Sequence, residues 1–173
     1  MRFRLFLVSC VAGGALLLPL DATARPTSTS FTIVGYEYAF TSTVGSFAGT
    51  GAGNAAEKAV WNATVKHDPL GSIPTYINGG RVELATAGAT GQLDFVTGAL
   101  GYHRGSITIL NPGSNCTNQE FLVTGALEAV TTSTTSGGSG TFEATLTHYR
   151  YSLFGHCIIY KAGVRGSVSF TYS

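Results

Sequence analysis

Helical runs are missing from this sequence. Nowhere do apolar residues recur at three- and four-residue spacing over enough chain to make a stable helix. The nearest candidate, Asn54-Ala-Ala-Glu-Lys-Ala, is too short to stand alone. Charge is scarce too, at 11% of residues. Of ten basic and nine acidic residues, Arg2, Arg4 and Asp21 fall in the first 24 positions, and the remainder balances to zero. Without a basic excess or stripe the chain is not suited to nucleic acid, and nothing steers it to anionic membranes. No Gly-x-Ser-x-Gly is present to build a nucleophile elbow. The Gly-rich run before Asn54 is not followed by Gly-Lys-Ser/Thr, so it is no phosphate loop. Cysteine is limited to three, and one of these, Cys10, lies inside an N-terminal apolar run.

That run is the first thing present. Arg2 and Arg4 precede an apolar stretch from Leu5 to Leu20, and Ala22-Thr23-Ala24 supplies small residues at the positions a signal peptidase reads. Residues 1–24 therefore read as a secretory signal peptide, cleaved after Ala24. The stretch is short for a membrane span and no basic stop signal follows it. The expected product is a secreted or periplasmic protein with no integral membrane association after cleavage. Residues 25–173 fit one domain. The two remaining cysteines, Cys116 and Cys157, are expected to form a disulfide in an oxidising compartment.

What fills residues 25–173 is short alternation punctuated by glycine, of which the sequence has 23. A period of two marks strands with one buried face. Along 31–40 the alternation places Val34, Tyr36, Tyr38 and Phe40 inward. Along 58–67 it places Trp61, Ala63 and Val65 inward. Val82 and Leu84, then Leu93 and Phe95, then Ile107 and Ile109 mark three further strands. Phe121, Val123, Leu127 and Ala129 mark another. The C-terminal hairpin shows the strongest pattern, with Phe142, Ala144 and Leu146 on one arm. Its other arm places Ile158, Tyr160, Ala162, Val164, Val168, Phe170 and Tyr172 inward. The polar stretch 131–139 reads as a hairpin tip. About nine strands in this length, in meander order, predict an all-β, antiparallel up-and-down β-barrel, with a two-sheet β-sandwich as the alternative. Lys58, Lys66, Arg81, Glu83, Asp94, Lys161 and Arg165 are expected on the outward face, which belongs in water rather than lipid.

In texture the chain resembles secreted calycin-like barrels. The Gly-x-Trp of lipocalins is absent, since Trp61 follows Ala59-Val60. Such barrels hold small ligands at their mouths.

Candidate site residues gather at the C-terminal hairpin. His148, Arg150 and His156 share the inward register, with Tyr151 and Phe154 beside them. Arg150 suits a carboxylate, and a histidine titrates near neutral pH. A nine-strand count puts His67 and His103 at one end and His148 and His156 at the other, which argues against a four-histidine metal site. No metal or cofactor is expected. Glu83 and Asp94, on outward faces of neighbouring strands, have the makings of a glycosidase-like carboxylate pair but read as solubilising charges on a solvated sheet. Asn62 and Asn115 sit in glycosylation sequons, which matter only in a eukaryotic source. The aromatic inward faces suggest a non-enzymatic protein that binds a small apolar or amphipathic ligand, or a structural or adhesive extracellular module. The enzyme alternative is a barrel-type cyclase or isomerase working through His148, Arg150 and His156. Oligomeric state is not readable from the sequence.

Overall fold

Eight antiparallel strands, each paired to its neighbour in sequence, close into a barrel. They are β1 (Thr27–Phe40), β2 (Val44–Gly53), β3 (Lys58–His67), β4 (Thr75–Ala87), β5 (Leu93–Asn111), β6 (Gln119–Thr131), β7 (Gly138–Leu153) and β8 (His156–Tyr172). A tight turn at Ser114–Cys116, with Asn115 and Cys116 at positive φ, lies in the β5–β6 loop. The structure, a computed structural model, describes residues 27–54, 57–87, 91–134 and 137–172. The expected signal peptide and its cleavage point lie outside the described residues. No helix among them is long and apolar enough to cross a membrane.

The count is eight rather than nine because β5 is one strand of 19 residues. The sequence reading divides it at the glycines around Gly98 and Gly101. The chain instead bulges there. Leu100 pairs with Leu127 and Gly105 with Gly125, so residues 101–104 oppose Ala126 alone. The excess loops outward and carries Tyr102, His103 and Arg104. His103 sits there at φ 56°, in the left-handed region, with its ring stacked against Tyr102 and Tyr76. Arg104 pairs with Glu128 at 2.7 Å.

One strand fewer reverses the direction of everything after β5. The ends of β3 and β7 and the start of β8 therefore share one end of the barrel, and the separation of the histidines into two ends is corrected. His67 and His148 are both buried inside that end. His103 lies on the outer wall, and His156 is exposed on the β7–β8 hairpin. Face, not end, is what divides them. The Cys116–Cys157 disulfide forms at this same end, with the Cα atoms 5.1 Å apart.

Register is corrected in two strands. In β1 the buried residues are Phe31 and Ile33, while Val34, Tyr36 and Tyr38 face outward. Both faces of β1 are apolar, so alternation alone does not choose between them. Trp61 makes the choice. Its indole occupies the interior at this level, and a β-carbon on Gly35 would lie 2.6 Å from its Cζ2. Only a strand that turns glycine inward leaves room, and Gly35 and Gly49 face each other across β1 and β2. The indole N–H donates to the Val34 and Thr50 carbonyls at 3.2 and 3.1 Å. In β5 Val96 and Leu100 are buried and Leu93 and Phe95 exposed. Asp94 is consequently not an outward charge: it closes the far end, where its Oδ1 accepts from the Ser133 N–H at 3.2 Å and from the Ser133 hydroxyl.

Bulges cause the smaller departures. A bulge between Glu37 and Ala39 brings Phe40 over the barrel mouth. Tyr149 pairs with Lys161 but Arg150 with Ile159, so Tyr160 is the extra residue and turns outward. Ile158 and Ile109 are not in the core but partly exposed, at 38% and 45%. Ala129, at φ 47°, is exposed and Val130 takes its place in the core.

The interior is apolar and close to full, as an eight-stranded barrel's should be. Trp61, Leu84, Phe121, Leu127 and Phe170 are among its buried residues. The space left at mid-height is about 50 Å³, walled wholly by apolar side chains such as Ile33, Phe47 and Val164.

Candidate functional site

The disulfide end of the barrel holds the polar groups that the interior otherwise lacks. His148, on the inward face of β7, points its Nε2 at Glu37 Oε2, 2.8 Å away. Both side chains are nearly sealed, at 7% and 4% exposure. The carboxylate accepts and the imidazole donates. Burying either group alone would be costly, and the mutual hydrogen bond offsets this. Phe121 meets the imidazole edge-on at 5.3 Å and Phe40 lies over it at 5.8 Å. His67 faces the same small recess, about 40 Å³ in volume. Its Nδ1 donates to the Asp68 carbonyl at 2.6 Å. That bond fixes the tautomer and leaves Nε2 as an acceptor.

Above this recess the barrel opens into a bowl of about 480 Å³. Phe40, Leu70, Ile109, Phe121 and Ile159 form most of its wall, and His148 lies in its floor. Loop tips beyond the bowl are apolar as well. Ile73 in the β3–β4 loop is 98% exposed and Phe154 in the β7–β8 turn 93%. Phe154 and Gly155 both have positive φ, as a two-residue hairpin turn of type I′ demands.

The β3–β4 loop is held by Asp68. Its Oδ1 accepts from the Asn78 amide at 2.7 Å and its Oδ2 from the Tyr76 N–H at 3.1 Å. The Asn78 bond, then the Tyr76 bond, hold its carboxyl below the ordinary value of 3.8, with His103 and His67 adding smaller contributions. At the opposite end, burial pushes the Tyr172 hydroxyl up, aided by Asp94 and Glu57.

Of the five residues expected at the site, one looks into the barrel. His148 does so. Arg150 lies against the β5–β6 loop: its backbone N–H donates to Asn118 Oδ1 at 3.4 Å, and a β-carbon on Gly113 would fall 2.8 Å from its Nη1. Tyr151 turns outward, edge-on to Tyr160 at 5.6 Å. Phe154 and His156 stand on the projecting hairpin, exposed. Sequence reasoning missed Glu37 and Leu70, and did not assign His67 to this group. Glu37 carried a readable signal, as the only charged residue in β1.

Glu83 and Asp94 do not form a pair. Glu83 is bound to Arg81 on the outer wall, while Asp94 serves the far end. Asn62 and Asn115 are both exposed. Among the described residues no three His, Cys, Asp or Glu gather in a metal-ligating group. Compared with protein-family models, curated proteins and solved structures, the chain gives no match.

Proposed function

We propose that this is an exported binding protein, not an enzyme, that takes the apolar part of a small amphipathic ligand into the bowl at the disulfide end. The observation that carries this reading is the bowl itself: about 480 Å³, walled mainly by Phe40, Leu70, Ile109, Phe121 and Ile159, with Thr41, Ser42 and Gln119 among its polar lining and His148 in its floor. Small-molecule sites have this composition, mostly apolar with a few polar groups that fix orientation. The voids below it are too small for such a ligand, so the ligand sits in the mouth and not in the barrel.

The test is titration of the purified protein with 1-anilinonaphthalene-8-sulfonate, an apolar dye with a charged head, read by fluorescence. Binding should be saturable. Ile159→Trp, which fills the bowl from its rim, should weaken it about tenfold, with the melting temperature held within a few degrees. Unchanged binding in a folded Ile159→Trp variant would remove the bowl as the site.

An acid–base reading keeps one supporting observation, the carboxylate–imidazole pair beneath the bowl. Its residues would be Glu37 and His148, since Arg150 and His156 do not join them.

A further inference from the structure

We propose that the outer wall over the β1–β8 seam is a second site, which binds an acidic polysaccharide. Tyrosine rings would stack on its sugars, and Lys161 and Arg165 would hold its carboxylates. The site is separate from the bowl and does not depend on it.

The seam is incompletely zipped. β1 and β8 pair from Thr27–Tyr172 as far as Tyr36–Gly163 and no further. Beyond that point β1 runs with β2 alone and β8 with β7 alone. Where they part, the outer wall is indented by a groove of about 910 Å³. Convex barrel walls seldom offer such a hollow, and this one is lined by Tyr36, Tyr149 and Tyr160. Their rings are arrayed rather than scattered. Tyr160 is 6.4 Å from Tyr149 and 5.6 Å from Tyr151, and Tyr36 is 6.4 Å from Tyr38. Gly163 forms part of the floor beneath Tyr149, where a β-carbon would lie 3.3 Å from the ring.

A pyranose ring has one face of C–H groups and a rim of hydroxyls. Tyrosine faces match the first, being flat, apolar and able to donate a hydrogen bond from the edge. Thr50, Thr145 and Thr147, which also line the groove, match the second. Charge decides which sugars. Lys161 lies 5.3 Å above the Tyr149 ring, and neither it nor Arg165 joins an ion pair among the described residues. The one carboxylate lining the groove, Glu37, is sealed against His148. Glu143, outward on β7 one step beyond Arg165's partner Thr145, forms no ion pair either. The groove thus presents two uncompensated cations, and guanidinium and ammonium groups bind carboxylates in charge-assisted hydrogen bonds. Uronic-acid polymers combine the stacking face, the hydroxyl rim and the charge. A lipid surface would meet threonines in a hollow, and nucleic acid would find no basic stripe beyond these two residues.

The test is affinity electrophoresis of the full chain in gels containing polygalacturonate, dextran or dextran sulfate, with flotation on phosphatidylserine vesicles alongside. Polygalacturonate should retard the protein, dextran should retard it far less, and dextran sulfate should do no better than polygalacturonate. Tyr160→Ala should raise the apparent Kd about tenfold, the effect expected of losing one stacking ring. Lys161→Gln with Arg165→Gln should do the same and abolish the preference over dextran. Tyr36→Ser gives an independent ring variant should Tyr160→Ala fold poorly. Circular dichroism should match the parent in each variant. No retardation by polygalacturonate would overturn the proposal. So would full retardation of folded ring variants, which would mean charge alone, or stronger binding to vesicles or dextran sulfate.

Discussion

Glu37 and His148 show how one residue pair can be structurally expensive and still persist. Both side chains are nearly sealed inside a largely apolar barrel, and each has the other as its hydrogen-bond partner. Glu37→Ala should lower unfolding free energy by about 3 kcal/mol, because it strands a buried imidazole as well as opening a void. Replacing both, Glu37→Leu with His148→Leu, should return most of that loss. Urea denaturation measures both, and a double variant as unstable as the single one would show that pairing is not what matters. Asp68 makes a different, pH-dependent contribution. Its carboxyl titrates lower when folded than when unfolded, so its stabilisation is present above the ordinary carboxylate value of 3.8 and is lost as pH falls through the lowered folded value. Asp68→Asn should therefore reduce the melting temperature at pH 6 while the gap to the parent narrows towards pH 2. A gap that is constant with pH would refute this reading.

Strands and hairpins were legible in the sequence wherever one face was clearly the more apolar. β3, β6 and the C-terminal hairpin are of this kind, and Trp61, Ala63, Val65, Phe121, Val123, Ala144 and Leu146 lie inside as their alternation implies. β1 was not legible, because its two faces carry comparable apolar weight. Which one turns inward depends on an indole from another strand. β5 was not legible either, because a bulge with glycines reads locally as a turn. That misreading added one strand, and parity then carried the error to the placing of the histidines. The disulfide pairing survived because only two cysteines were available, and it joins elements far apart in sequence. Cys116 sits in the β5–β6 loop and Cys157 at the start of β8, 41 residues on. Changing both cysteines to serine should lower stability by about 4 kcal/mol, from the entropy of the loop they close. Guanidinium denaturation with and without reductant checks this, and a parent insensitive to reduction would contradict it.

At the scale of the molecule, the barrel divides its surfaces by role. The interior is filled and apolar, the disulfide end is a shallow apolar bowl over a buried polar pair, and the outer wall carries Lys58, Lys66, Arg81, Lys161 and Arg165. An apolar lumen with charges outside is the arrangement for water, and the reverse of a porin's. Sequence could not separate bowl from lumen, since both are walled by residues that alternate alike. Thr27 and Tyr172 are paired neighbours at the end of the barrel opposite the disulfide. A short linker between them would join the first strand to the last, and the chain could then be reopened in the polar stretch 132–139. Such a circular permutant would keep every strand neighbour while making the β1–β8 seam an ordinary hairpin and the β6–β7 junction the new place where the barrel closes.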